Sequence, residues 1–139
     1  MRAVILIAVL GGCTMSTNID DMRDSVREAQ HEDNVHIALS RTARDLPSLV
    51  FEVDRHSLHM SIVLDDMSGH MSAMHHCSGM ATMWSMRDEM QVEVDDHHAA
   101  MHAMTELAPA RAADEDHVSL MNEMLDRMDM QLGAMHCDM

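Results

Sequence analysis

The chain has 139 residues with 24 acidic side chains against nine arginines, so its formal net charge at pH 7 is −15. This charge repels phosphate and excludes nucleic acid as a partner, and one Trp and one Phe provide no aromatic stacking surface. The length suits one domain. The unusual feature is the content of 19 Met and 12 His, whose side chains are soft and borderline ligands for transition metals.

The first 12 residues are predicted to be an export signal. A basic start is followed by an apolar run over residues 3–10 and then by Gly11-Gly12-Cys13, and this run is too short to span a membrane. The Leu-Gly-Gly-Cys ending resembles the lipobox of bacterial lipoproteins. That resemblance implies lipidation of Cys13 and a mature domain over residues 13–139. The acyl chains would then anchor it in the bacterial cell envelope, facing the periplasm or the exterior. An ordinary signal peptide is the alternative.

Four amphipathic segments follow in chain order. Apolar residues recur at helical spacing, and strand-like alternation is nearly absent. Breaks occur at residues 45–47 and 108–110, and a turn at residues 77–79. The pattern predicts helices at about 19–44, 47–76, 81–107 and 110–136. Because short connections make neighbouring helices antiparallel, we expect an all-α, up-down-up-down four-helix bundle made of two tandem hairpins.

The two predicted hairpins repeat each other. Residues 20–76 align with residues 81–137 without a gap at an offset of 61, and 15 of the 57 aligned pairs are identical. Roughly four identities are expected by chance for so biased a composition. Most of the identical pairs are potential metal ligands, whereas most of the apolar residues differ between the two segments. The ligand pairs used below are Glu32/Glu93, His36/His97, His56/His117 and Met60/Met121.

The register of the hairpins predicts that these ligands meet. His36 and His56 are equally distant from the first loop, as His97 and His117 are from the second. Since both loops lie at one end of an up-down-up-down bundle, the four histidines should share one layer. The next layer, one helical turn away, should hold the two Glu and two Met of the repeated pairs. We predict that these eight residues bind one or two metal ions: His36, His56, His97, His117, Glu32, Glu93, Met60 and Met121.

Further methionines predict a softer metal-binding zone toward the anchored end. Thioethers favour Cu(I) or silver, whereas imidazole and carboxylate also suit Cu(II), zinc and iron. The alternative is a core in which methionine only fills space. The candidate soft ligands are Met67, His70, Met71, Met74, Met83, Met86, Met90, Met124, Met128 and Met135.

Composition, export and short Met/His pairs over residues 56–139 resemble the Met/His-rich helical proteins that bacteria export to bind copper or silver. This resemblance implies buffering, sequestration or delivery of the metal outside the cytoplasm, with an unknown transfer partner. The duplicated hairpin is also distantly similar to ferritin-like carboxylate proteins, which would imply a dinuclear iron or copper oxidoreductase. Only Glu32 and Glu93 are carboxylates of the predicted layers, and we predict no catalytic residue. A structural acidic lipoprotein without metal is the third reading.

Two smaller features leave alternatives open. Cys77 and Cys137 indicate a disulfide in an oxidising compartment, although a thiolate copper site would use the same residues. His98, His102 and Glu106 lie along one edge of a predicted helix. We interpret them as a solvated flank, with metal ligation as the alternative.

Overall fold

The computed structural model describes residues 14–137, with side-chain surroundings from residue 18 onward, and contains four helices. The all-α class and the four-helix bundle are confirmed, and no β-strand occurs within residues 14–137 apart from one bridging pair. The predicted signal and Cys13 lie outside the described residues. The helices are α1 (Thr14–Thr42), α2 (Leu46–Ala73), α3 (Met80–Ala103) and α4 (Leu107–Ala134).

The helices pack as an up-down-up-down bundle. α1 and α3 each pack against both α2 and α4, while α2 and α4 approach one another across the diagonal. The α1–α2 and α3–α4 connections, residues 43–45 and 104–106, therefore lie at one end of the bundle, and residues 74–79 lie at the other. Among the described residues, no helix has the length and hydropathy required to cross a membrane.

Prolines mark the starts of α2 and α4, although the predicted position of the second break was wrong. Asp45 caps α2 by accepting a hydrogen bond from the Ser48 backbone N–H at 2.9 Å, and Pro47 lies in the first turn. The sequence placed the second break at residues 108–110, but α4 begins at Leu107 and includes Pro109. Proline fits the first turn of a helix, because a backbone N–H there has no helical acceptor.

The apolar interior forms two clusters separated along every helix by polar residues. The smaller cluster lies near the two intra-hairpin loops and includes Leu49, Val53 and Met101. The larger cluster fills the opposite end and contains most of the buried methionines, with Met86 half-buried at its edge. Met can fill such an irregular interior because its side chain is flexible and polarisable. The predicted soft ligands in this cluster are Met67, Met71, Met74, Met83, Met90, Met124, Met128 and Met135.

A disulfide between Cys77 and Cys137 closes the methionine-rich end. It resolves the alternatives that the sequence left open, because the segments after the diagonal helices α2 and α4 meet there. The Ser78 backbone N–H donates to the His136 carbonyl at 2.8 Å. Gly79 has φ +81° and starts α3, and a Cβ at this position would lie 2.3 Å from the Gln131 side-chain amide. This turn therefore requires glycine.

Removing the disulfide should destabilise the fold. The cysteines are 60 positions apart, and the chain-entropy model gives about 4 kcal/mol for a loop of this length. We expect Cys77→Ser/Cys137→Ser to lower the free energy of unfolding by about 2–4 kcal/mol, measured by guanidinium denaturation. Adding a reductant should destabilise the parent protein similarly and leave the double variant unchanged. Equal stability of parent and variant would contradict the prediction.

Candidate metal centre

Four histidines form one buried layer between the two apolar clusters. The rings of His36 and His56 stack with centroids 4.0 Å apart, and those of His97 and His117 stack at 3.9 Å. The two stacks meet edge to face, at 6.4 Å between His36 and His97 and at 5.6 Å between His56 and His117. No ring is more than 6% exposed. The layer predicted from the hairpin register is therefore present.

Of the four residues predicted for the second layer, the two carboxylates contact histidines of the first, and the two methionines belong to the larger apolar cluster. Glu32 Oε1 lies 3.2 Å from His56 Nδ1, and Glu93 Oε1 lies 2.9 Å from His117 Nδ1. These two contacts are equivalent under the 61-residue offset. The other two predicted ligands belong to the larger apolar cluster, in which Met60 and Met121 are fully buried.

Three further carboxylates belong to this layer, and none of them was among the metal ligands predicted from the sequence, although Asp114 was a candidate hydrogen-bond acceptor for the histidines. His36 Nδ1 lies 3.1 Å from Glu52 Oε1, while its Nε2 lies 2.9 Å from Asp114 Oδ1. Asp114 Oδ1 is also 2.9 Å from His97 Nε2. Asp33 Oδ1 lies 3.7 Å from His56 Nε2.

These three carboxylates are not among the positions that are identical between residues 20–76 and 81–137. Glu52, Asp114 and Asp33 align with Ala113, Val53 and Val94, so each occurs in one copy only. Their spacing from the histidines on the same helix could have identified two of them. Glu52 precedes His56 by four positions, as Glu32 precedes His36, and Asp114 precedes His117 by three. Such residues share one face of a helix.

His36, His97 and Asp114 form the tightest group of potential ligands. One ligand atom of each lies within 4.8 Å of the other two, and all three residues are buried. Asp114 Oδ2 has no hydrogen-bond partner within the described residues. Two imidazole nitrogens and a carboxylate oxygen match the three protein ligands of an open transition-metal site, in which water or substrate occupies the next position.

His56 and His117 present a second pair of nitrogens. Their Nε2 atoms lie 3.4 Å apart, while each Nδ1 faces a carboxylate. When each Nδ1 carries a hydrogen and donates it in a hydrogen bond to the carboxylate, the Nε2 atoms carry lone pairs. These two lone pairs then face each other without a hydrogen-bond donor between them. Nitrogens bound ~2.0–2.1 Å from one tetrahedral ion lie about 3.3–3.4 Å apart. The observed separation therefore fits two ligands of one ion.

Burial keeps these two rings neutral. It lowers the pKa of His56 to about 4, although Glu32 opposes the shift, and it lowers the pKa of His117 to about 2 together with the neighbouring ring of His97. His36 behaves differently, because its contacts with Asp114 and then Glu52 outweigh burial and raise its pKa. Neutral imidazole is the form that binds a metal.

The layer holds more negative than positive charge. Among the described residues, Glu32 and Glu52 are bridged by the Arg55 guanidinium, with nitrogen–oxygen distances of 2.6–3.1 Å. Burial favours protonation of Glu32, but hydrogen bonds from His56 and Arg55 lower its pKa to about 2. Asp33 is fully buried without a hydrogen-bond partner in the described chain, and burial raises its pKa to about 7. A bound cation would offset this excess of buried carboxylate.

The two sides of the layer differ in access to solvent. On the α1–α2 side, Arg55 covers the carboxylates. Its counterpart under the 61-residue offset is Asp116, and Leu39 is replaced by Ala100. A groove of about 350 Å³ opens on this α3–α4 side. Exposed acidic residues form its rim, and two histidines of the layer lie at its floor. The lining residues are Glu93, Asp96, His97, Ala100, Ala113, Asp116, His117 and Leu120.

Two other predicted groups lie away from this layer. His70 is half-buried, and its Nε2 lies 3.2 Å from Asp66 Oδ2. His98 and His102 do not extend to Glu106 as a flank. Instead, their rings meet Asp54 of α2, whereas Glu106 is the N-cap residue of α4.

No protein-family model, curated protein or solved structure matches the chain. The four-helix bundle and the composition of its buried layer are the features on which a functional argument can be built.

The raised pKa of Asp33 predicts a pH-dependent effect of its removal. An unfolded Asp has a pKa near 3.9, so the folded protein binds this proton more tightly. Asp33 therefore costs little stability below about pH 4, and its cost grows as the pH rises through about 7. In the metal-free protein, Asp33→Asn should leave stability unchanged at about pH 4. At about pH 8 it should increase stability by a few kcal/mol, with a ceiling of about 4.

Urea denaturation at both pH values measures this difference. Asp116→Asn removes an exposed carboxylate and serves as the matched control, with no expected effect at either pH. A difference between parent and Asp33→Asn that does not vary with pH would show that Asp33 ionises as an ordinary surface carboxylate.

Proposed function

We propose that this chain binds transition-metal ions in its buried His/carboxylate layer, and that copper is the physiological metal. The observation that carries the proposal is the convergence of His36, His97 and Asp114, because one ligand atom of each lies within 4.8 Å of the other two in a buried site. His56 Nε2 and His117 Nε2 support it, because their 3.4 Å separation suits two ligands of one ion. The layer therefore has donors for one or two ions.

The donor types favour copper over harder metals. Imidazole and carboxylate sites bind Cu(II) more tightly than other divalent first-row ions, with zinc and iron as weaker competitors. The adjacent core supplies thioethers for Cu(I) or silver, as with Met67 and Met71, which are fully buried. Such a protein would buffer, sequester or deliver the metal, and delivery requires a transfer partner of unknown identity.

The proposed location is the bacterial cell envelope, facing the periplasm or the exterior, with a lipid anchor at Cys13. The disulfide between Cys77 and Cys137 supports an oxidising compartment, because cytosolic thiols are usually kept reduced. The short apolar N-terminal run supports export. In this proposal, the protein contacts the membrane through its lipid anchor and binds metal ions as its ligands.

The α3–α4 groove is the proposed path of the ion. Its rim is acidic, so it attracts cations and concentrates them near the site. His97 and His117 lie at its floor and could receive the ion first. Arg55 would repel a cation on the opposite side, where it binds Glu32 and Glu52.

A dinuclear oxidoreductase of ferritin-like type is the second candidate. One observation favours it: five carboxylates reach the histidine layer, whereas the sequence suggested two. Such carboxylate-rich sites suit iron pairs. We rank it second because Arg55 already holds Glu32 and Glu52, which leaves fewer oxygens for the ions. The structural acidic lipoprotein is the remaining alternative, and it predicts no metal uptake.

Removing two of the converging ligands should abolish tight binding at the layer. We expect His36→Ala/His97→Ala to weaken Cu(II) and Zn(II) binding by more than about 100-fold. The parent protein should gain about 2.7 kcal/mol of stability at a free-ion concentration 100 times its dissociation constant. Competition titration against a chelator and thermal unfolding measure these two effects. Cu(II) uptake that depends on His36 should also fall with pH, and the fall should begin above the ordinary histidine range because the pKa of His36 is raised. His56, whose pKa is lowered to about 4, should keep its lone pair for the metal to a much lower pH.

Met60→Leu/Met121→Leu is the matched control, since Leu is close to Met in volume. It should keep the Cu(II) and Zn(II) affinities of the parent, while any loss should be confined to Cu(I) and silver. A parent protein that takes up no metal against a moderate chelator would favour the structural alternative.

Narrowing the groove should slow uptake without changing affinity. Ala100→Leu introduces the residue found at the equivalent position Leu39, so the ion must wait for the side chain to move. We expect the Cu(II) association rate in stopped-flow measurements to fall by about tenfold, with equilibrium affinity retained. Leu39→Ala on the opposite side should change neither quantity. If Ala100→Leu binds at the parental rate, the ion reaches the layer by another path.

A further inference from the structure

A second group of potential metal ligands lies on the surface where α2 meets α3. Asp54 Oδ1 is 2.9 Å from His98 Nε2 and 2.6 Å from His102 Nε2. The two rings are 4.6 Å apart. One ligand atom of each of the three residues lies within 4.8 Å of the other two. This group shares no residue with the buried layer.

Helix geometry explains why the ligands converge. His98 and His102 are four positions apart on α3, so their side chains are neighbours on one face of that helix. α2 packs against this face and presents Asp54 opposite both rings. The two imidazoles therefore direct their Nε2 atoms toward a single carboxylate oxygen.

The exposure of the group distinguishes it from the buried layer. The side chains of His98, His102 and Asp54 are 42%, 46% and 47% exposed, so water can supply the remaining ligands of an ion. An exposed ion can also exchange with solvent without opening the bundle. A divalent ion at this position would bind the nitrogen lone pairs of the two imidazoles and the Asp54 carboxylate together.

We propose that Asp54, His98 and His102 form a separate, solvent-accessible site for one divalent transition-metal ion. Two imidazole nitrogens and one carboxylate oxygen are borderline donors, which suit Zn(II), Ni(II) and Cu(II) and exclude selective binding of Cu(I). The ion joins α2 to α3 and stabilises the folded chain by mass action. The site stands independently of the buried layer, because its ligands and its access to solvent are different.

Zn(II) titration by isothermal calorimetry near neutral pH tests the site. In the His36→Ala/His56→Ala/His97→Ala/His117→Ala background, which removes all four imidazoles of the buried layer, we expect one equivalent of Zn(II) to bind. Adding His98→Gln/His102→Gln should abolish this equivalent. Asp54→Asn, nearly identical in shape, should weaken it by about tenfold, since it removes a charged ligand. Two matched controls should keep it: Asp95→Asn removes another exposed carboxylate, and His75→Gln/His76→Gln removes two exposed imidazoles.

A second measurement avoids dependence on the folding of the buried-layer variant. In the parent protein, substoichiometric Ni(II) should broaden the ring signals of His98 and His102 in NMR spectra before those of His75 and His76. Retention of the Zn(II) equivalent in the His98→Gln/His102→Gln protein overturns the proposal, as does uniform broadening of all exposed histidines. If the buried layer binds no metal but this equivalent is present, the proposed function fails and the surface site stands.

Discussion

The structure depends on carboxylates that are buried among histidines in the middle of a helical bundle. A buried ionised carboxylate is costly unless it is paired and hydrogen-bonded. Arg55 and the imidazoles supply that pairing for Glu32, Glu52 and Asp114. Asp33 lacks it, and the Asp114 carboxylate keeps one oxygen without a partner in the described chain. The deficit of positive charge and donors at this level is the physical basis of the proposed metal site.

The register of the two hairpins explains the form of the layer. Two similar hairpins place equivalent histidines at equal distances from the loops at one end, so the four rings meet. The two sides of the layer are nonetheless different. Arg55 closes one side over Glu32 and Glu52, whereas its counterpart Asp116 leaves the other side open and acidic. The four rings therefore form two similar stacked pairs, and the groove opens to solvent on the α3–α4 side.

The methionine-rich end supports the layer through its packing. Flexible Met side chains fill the space between helices without the shape matching that branched residues require. The cost is weaker specification of helix positions, which the disulfide between Cys77 and Cys137 offsets by joining the ends of the diagonal helices. Constraint at this end and polar pairing at the layer together hold α2 and α4 in register.

The sequence by itself determined the helices, their antiparallel order and the layer of His36, His56, His97 and His117, because helical period and loop position set the height of each residue. It misplaced the start of α4, since a proline is tolerated inside a first turn. Only the tertiary structure revealed that Asp114 contacts His36 and His97 and that the sulfurs of the next layer pack into the apolar cluster. The reason is that helical spacing gives the height of a side chain along the bundle, whereas the rotation and packing of neighbouring helices decide which side chains meet.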